Sequence, residues 1–365
     1  MKKNTVKKMM ALLLAGAMCT GMTACGSDKA PAAESKAESA EAGEDAAEAT
    51  EDAAEETVEA ANDAELKEID VVLDWYPNAI HTFLYDAIDK GYFAEEGLKV
   101  NIIDPAESVD GINFVATGRA QIGLTYMPEI CEAQEQGMPV KALGAVCQRE
   151  LDCICSLATN KEINGLEDMK GHKVGYSGTG AEEAIINTIM KDLGLTEDDF
   201  ELVNVGYDLV TSLTTGSVDL AGGIFINDEV TTMELAGYEV NVFDEQEYGV
   251  PRMYGLIMAV NGDEYDADPE LYKGFVNACK KGFADMKADE DAALETIMKD
   301  MNSDENPLDE EQQRGSYKVL MERMETEDAE FLSMDPELWQ GIIDWMTEHD
   351  LLEGNVKGED VMIQM

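Results

Sequence analysis

From Ile69 onward, short apolar runs alternate with amphipathic stretches, and the alternation runs through twice. Runs at 69–73, 98–103, 121–126, 140–146 and 153–158 read as strands. Helices are expected over 80–93 and 108–117, with a third opened by Pro128 at its first position. The series then restarts, with strands at 172–176, 201–205, 219–225 and 240–243 and helices at 181–193, at 209–215 and after Asn227. One more strand is expected at 255–260. Beyond Pro269 the chain reads as helical, and its amphipathic segments at 271–286 and 293–301 are expected to wrap the first lobe. Such alternation demands an α/β architecture with parallel strands and helices on the sheet faces. A weak internal echo supports two similar units: Gly118-Arg119-Ala120-Gln121-Ile122-Gly123-Leu124 matches Gly216-Ser217-Val218-Asp219-Leu220-Ala221-Gly222. In both, a glycine closes a helix and a small turn feeds a strand.

The expected division is therefore 69–158 plus 252–365 as one lobe and 159–251 as the other, because the chain leaves the first lobe, builds the second and returns. A length near 300 residues also favours two lobes over one core. In α/β units of this kind a ligand sits at the strand C-termini, in the cleft between the units.

Before Ile69 the chain has a different character. Lys2, Lys3, Lys7 and Lys8 precede an apolar run at 9–18, the arrangement of a secretory signal and too short for a permanent spanning helix. Met22-Thr23-Ala24-Cys25-Gly26-Ser27 resembles a bacterial lipobox, with Met22 where leucine is commoner. That resemblance makes residues 1–24 a signal peptide and Cys25 a lipidation site, so the mature chain would sit on the outer face of the cell membrane. Residues 28–68 hold 15 acidic side chains against three lysines, with alanine making up most of the rest. Like-charge repulsion and the lack of large apolar groups make 25–68 an expected disordered tether behind the lipidated cysteine. Of the net charge of −51, the part beyond this tether carries −43. Nucleic acid is excluded as a partner, since phosphate binding needs a positive surface.

Five further cysteines (Cys131, Cys147, Cys153, Cys155 and Cys279) lack the even count and spacing of a disulfide framework. Cys153 and Cys155 flank Ile154 and should share a strand face as small buried hydrophobes. A metal site through Cys147, Cys153 and Cys155 is the sharper alternative, but no histidine lies near in sequence, and no metal is expected.

Three loops fall where the cleft would be. In Asp74-Trp75-Tyr76-Pro77-Asn78-Ala79-Ile80-His81, Trp75 offers a flat face while Asn78 and His81 offer hydrogen bonds. Equally, Trp75 can be core and Asn78 a helix cap. In Ser177-Gly178-Thr179-Gly180 the glycines let a backbone approach a ligand and a helix N-terminus follows, or the segment is an ordinary turn. Glu182 and Glu183 favour a neutral polar group over a phosphate there. In the third loop, Asn227 and Glu229 either face a ligand or sit at a solvated helix start. Tyr126, ending the matching strand of the first unit, is a second aromatic wall or plain core.

The segment Leu-Asp-Trp-Tyr-Pro-Asn-x-x-His (73–81), followed by Lys90-Gly91-Tyr92-Phe93-x-x-Glu96-Gly97-Leu98, resembles the thiamine-precursor pyrimidine-binding family. The likeness continues through 118–123, Gly137-Met138-Pro139-Val140 and 166–175, and fades in the helical C-terminus. It implies a type II periplasmic-binding-protein fold with a hinged cleft, and a solute-binding component that serves an ABC-transporter permease. It further implies a monomer without cofactor or catalytic residues, holding an aminopyrimidine. Trp75 and Tyr126 would stack on the ring. Asn78, His81, Ser177, Gly178, Thr179, Gly180, Asn227 and Glu229 would contact the ligand, with Glu229 paired to the ring nitrogen and exocyclic amine. Riboflavin-, sulfonate- and nitrate-type binders belong to the broader group and are the rival ligands. A related fungal pyrimidine synthase makes an enzyme using His81 the rival class, although its clustered cysteine motif is missing here.

Overall fold

A computed structural model describes residues 66–364, apart from Ser108 and Glu197. The signal, Cys25 and all of the tether up to residue 65 lie outside the described residues. Among the described residues ten strands form two five-stranded sheets. The first sheet holds β1 (Lys67–Val72), β2 (Leu98–Ile103), β3 (Ile122–Thr125), β4 (Val140–Cys147) and β10 (Leu256–Asn261), in the order β2-β1-β3-β10-β4. The second holds β5 (Asp152–Leu157), β6 (Lys173–Tyr176), β7 (Glu201–Asn204), β8 (Leu220–Phe225) and β9 (Val240–Phe243), in the order β7-β6-β8-β5-β9.

The two orders are the same pattern. In each sheet four strands run parallel and the fifth runs antiparallel between two of them: β10 between β3 and β4, and β5 between β8 and β9. The echoed segments occupy matching places. Gly118 and Gly216 both have positive φ (67° and 73°), each ending a helix before β3 or β8. Only glycine takes that left-handed turn without strain.

Three expectations need correction. The tether does not extend through residue 68, because Lys67 and Glu68 pair in parallel with Leu98 and Lys99. Residues 152–157 do not belong to the first lobe: β5 lies between β8 and β9, and Cys153 and Cys155 pack in the second lobe's core with Leu209, Ala221 and Ile224. The chain therefore crosses between Cys147 and Asp152. The helix expected over 80–93 is broken, since Gly91 at φ 74° ends the helix Thr82–Asp89 and the chain resumes as Tyr92–Glu95.

The C-terminal helices do more than wrap the first lobe. Pro269–Ala288 lies along Thr82–Asp89, and Gly282 lets the backbones touch: a Cβ there would sit 2.1 Å from the Phe83 carbonyl oxygen. The helix Glu310–Met321 instead bridges the lobes. Its Gln313 Oε1 accepts from the Ala79 N–H at 2.8 Å, while Gln312 Nε2 donates to Asp228 Oδ1 at 2.5 Å and Ser316 Oγ accepts from Asn227 at 3.0 Å. The last helix, Pro336–Glu348, buries Trp339, Ile342 and Ile343 in a core continuous with Ile130 of the first lobe and Val174 and Ile186 of the second. The tail then pairs with β4, Ala142 N donating to Val361 O and Ile363 N to Ala142 O, both at 2.8 Å. This covers what would be an exposed sheet edge. All five cysteines among the described residues are free and buried, and Cys147 lies in a different core from Cys153 and Cys155. No helix among the described residues is long and apolar enough to cross a membrane.

Candidate functional site

The strand ends of the two sheets meet around a cleft of about 990 Å³, counted with its open mouth. The first lobe supplies the loop after β1 (Asp74, Trp75, Asn78, Ile80) and the junction of β3 with its helix (Tyr126, Met127, Pro128, Glu129). The second supplies Ser177, Thr179 and Glu182 after β6, and Phe225, Asn227, Asp228 and Glu229 after β8. Glu150 and Asp152 come from the crossing between lobes, and Glu245 from the turn after β9.

Matching groups follow the equivalent strands of the two lobes. Tyr126 and Phe225, at the ends of the equivalent strands β3 and β8, meet edge to face at 5.8 Å. A carboxyl follows each within about a turn. Glu129 accepts from the Thr125 hydroxyl, and Glu229 Oε2 accepts from the Phe225 N–H at 2.9 Å. The chain after β8 makes this second turn as a π-helical segment, Ile226–Val230, which tucks Asn227 and Glu229 inward.

Eight carboxyl side chains line the cleft: Asp74, Glu129, Glu150, Asp152, Glu182, Asp228, Glu229 and Glu245. Among the described residues no lysine, arginine or histidine does. Two unit charges ~5 Å apart at an effective dielectric of about 20 repel by roughly 3 kcal/mol, so the set cannot all ionise. Burial accordingly lifts Asp228 to about 6, Glu129 and Glu182 to about 7, and Glu150 and Glu245 to about 8. Burial also raises Asp152 and Glu229 well above the usual carboxylate range, with repulsion from Glu245 and Asp228 respectively adding to it.

The unsatisfied atoms point the same way. Glu129 Oε1, Glu150 Oε1, Asp152 Oδ1, Glu182 Oε1 and Asn227 Oδ1 are buried without a hydrogen-bond partner. All are acceptors. An unpaired buried acceptor costs about 1–3 kcal/mol, so a ligand rich in N–H donors would recover much of that cost.

The structure brings Trp75, Asn78, Tyr126, Ser177, Thr179, Asn227 and Glu229 to the one cleft. It leaves out Gly178, Gly180 and His81. Gly178 turns at φ 102° against Asn204, which its Cβ would strike at 2.7 Å, and Gly180 opens the following helix. The start of that helix is capped from within the loop: Thr179 Oγ1 accepts from Glu182 N, and Glu182 Oε2 accepts from Ser177 N at 3.0 Å. His81 is fully buried. Its Nδ1 accepts from Asn78 N at 3.2 Å, which leaves Nε2 to donate to Asp74 Oδ1 at 3.0 Å. It therefore orients the Asp74 side chain from behind and does not itself line the cleft. Asn78 caps the turn it opens, with Oδ1 accepting from Ile80 N at 3.0 Å, although its side chain also borders the cleft. Trp75 packs edge-on against Tyr207 of the second lobe, ring centroids 4.2 Å apart, and so closes one side of the cleft.

Sequence reasoning missed Asp74, which also accepts from the Tyr126 hydroxyl at 2.7 Å, together with Glu129, Glu150, Asp152, Glu182, Asp228 and Glu245. A hydroxyl or strand end followed four or five residues later by a carboxyl (Thr125/Glu129, Ser177/Glu182) was the available signal.

A family pattern described as NMT1/THI5 like matches residues 78–293. The chain belongs to this NMT1/THI5-like family. It is 34% identical over 299 residues to the formylaminopyrimidine-binding protein of Halalkalibacterium halodurans, covering 82% of this chain and 90% of that one. It is 25% identical over 240 residues to the 4-amino-5-hydroxymethyl-2-methylpyrimidine phosphate synthase of Aspergillus parasiticus, covering 62% and 69% of the two chains. Among solved structures it superposes on the alkanesulfonate-binding protein SsuA of Xanthomonas axonopodis pv. citri bound to MOPS. There the TM-score is 0.64 at 12% identity, over 83% of this chain and all of that one. The aliphatic sulphonate-binding SsuA of Escherichia coli gives 0.60 at 15%, over 82% and 92%. Those likenesses establish the two-lobed periplasmic-binding-protein fold.

Proposed function

We infer that this chain is the solute-binding component of an ABC importer and that it captures a thiamine-related aminopyrimidine in the cleft. The observation that carries the reading is the cleft's chemistry: eight carboxyls, no cation, five unpartnered acceptors and aromatic rings on both sides. An aminopyrimidine presents an exocyclic amine beside a ring nitrogen. A carboxyl facing that edge makes two hydrogen bonds whichever partner holds the shared proton, so a group lifted toward neutral pH by burial suits it. Glu229 is assigned that role. Trp75, Tyr126 and Phe225 bound the ring, and Asp74, Asn78, Ser177, Thr179 and Asn227 border it. The named ligand of the Halalkalibacterium relative supports the same class.

The rival solutes fit less well. A sulfonate or nitrate would enter a cavity lined by carboxyls, against both repulsion and unpaired acceptors. A synthase using His81 would need a ring that is already buried and spent on Asp74 and Asn78. Export and anchoring through Cys25 are part of the proposal and rest on the N-terminal pattern. The test is calorimetry with a 4-aminopyrimidine carrying a 2-methyl group. Trp75→Ala and Glu229→Gln are each expected to weaken binding about tenfold or more, equivalent to roughly 1.4 kcal/mol. Unchanged affinity in both would remove them from the site.

A further inference from the structure

Tyr207 does not line the cleft, yet it touches a residue that does. It follows β7 in the turn Val205-Gly206-Tyr207-Asp208, which Asp208 N closes by donating to Val205 O at 3.1 Å. Val205 N ties the turn to the end of β6 through Tyr176 O at 3.0 Å. Gly206 sits at φ 54°, a left-handed step that favours glycine, with its N–H donating to Asn204 Oδ1 at 3.1 Å. Asn204 also abuts Gly178, so the turn is braced against the loop that carries Ser177 and Thr179 to the cleft. From this support the Tyr207 ring lands on the first lobe. Its centroid is 4.2 Å from that of Trp75 at 87° and 5.1 Å from that of Tyr76 at 57°.

The exchange is reciprocal. Trp75, rooted in the first lobe, packs against the second lobe's core of Leu209, Ala221 and Ile224. Each lobe therefore lends an aromatic side chain to the other, and separating the lobes has to withdraw both rings. Aromatic pairs in edge-to-face geometry contribute beyond the area they bury. The phenol's tip adds nothing to this: the Tyr207 hydroxyl is buried without a hydrogen-bond partner. Burial, then Tyr76 and the carboxyls of Asp74, Asp110 and Glu107, pushes it well above the ordinary tyrosine range, so it stays protonated. A buried polar group with no partner is a cost, so the ring and not the hydroxyl carries the contact.

We propose that Tyr207 is a positioning residue for binding: from outside the cleft it latches Trp75 and so sets the rate at which a bound solute leaves. The inference rests on the reading of the cleft as a solute site and adds the contact that holds it shut. The latch exists only with the lobes together. It has to break before a solute departs, whereas encounter precedes it, so its effect falls on dissociation.

The experiment is stopped-flow kinetics on the full chain with 4-amino-5-hydroxymethyl-2-methylpyrimidine, followed by intrinsic tryptophan fluorescence. Tyr207→Ala is expected to release this ring about tenfold faster while its association rate stays within about threefold. Tyr207→Phe keeps the ring and sheds the unpartnered hydroxyl, so it should release at the unaltered rate or up to about threefold more slowly. Tyr207→Leu replaces the alanine variant if that chain does not fold. Release unchanged in Tyr207→Ala, a loss confined to association, or a phenylalanine variant as fast as the alanine one would each overturn the latch and leave the aminopyrimidine reading standing. Small-angle scattering needs no ligand: the ligand-free Tyr207→Ala chain should have a larger radius of gyration than the unaltered and Tyr207→Phe chains. If the ring does not bind the unaltered protein, the aminopyrimidine reading falls, and equal radii in the three chains would then sink the latch as well.

Discussion

At the scale of single residues, the cleft is costly to the empty protein. Glu129, Glu150, Glu182 and Glu245 titrate near 4.5 in an unfolded chain but at about 7 to 8 when folded. Between those values the folded chain holds protons the unfolded chain has released, so stability falls as pH rises. That contribution is fully present below about pH 4.5 and is lost by about pH 8. The melting temperature of the ligand-free protein is expected to be higher at pH 5.5 than at pH 8, by thermal scanning calorimetry. The difference should shrink in a Glu150→Gln/Glu245→Gln protein, and an unchanged difference would assign the effect to the general surface charge. These residues were invisible in the sequence because 77 acids spread along the chain give no contrast. Trp75, Tyr126, Asn227 and Glu229 stood out because a loop's place after a strand is readable from periodicity. His81 misled because residue type predicts hydrogen bonding but not which side of a loop a ring faces.

At the scale of elements, alternation and glycine placement were legible because they report local backbone demands. The π-helical turn at Ile226–Val230 was not, and the break at Gly91 was passed over although a left-handed glycine is a local stop. So was the tight crossing at Gly282, where Pro269–Ala288 meets Thr82–Asp89. Alanine normally favours a helix interior by about 1 kcal/mol, but here its methyl would enter the Phe83 carbonyl. Forced separation of the two helices should outweigh propensity, so Gly282→Ala is expected to destabilise the protein by roughly 1–3 kcal/mol in urea unfolding. Gly341, whose Cβ would meet nothing within 4 Å, is the control: its alanine variant should be neutral or stabilised.

At the scale of the whole molecule, two lobes and a return to the first were readable from repetition, whereas the assignment of residues 152–157 was not. An apolar strand carries no mark of which sheet it will join, and the decision lies with β8 and β9, which come later in the chain. Cooperation between the lobes is built in three places: the core around Trp339, the Trp75–Tyr207 contact, and the bridge made by Gln312, Gln313 and Ser316. A chain ending at residue 251 keeps every strand but β10, which separates β3 from β4. Such a fragment is expected to lack a cooperative urea transition, whereas the chain from residue 66 to 365 should show one.

The placement of β10 also sets an order of events. Until residues 256–261 leave the ribosome, β3 and β4 are two unzipped halves of an open seam, each with bare amides awaiting a shared neighbour. A nascent chain paused before that point is a receptor without its keystone, and a synthetic peptide of β10 supplied in trans is the natural piece to close it.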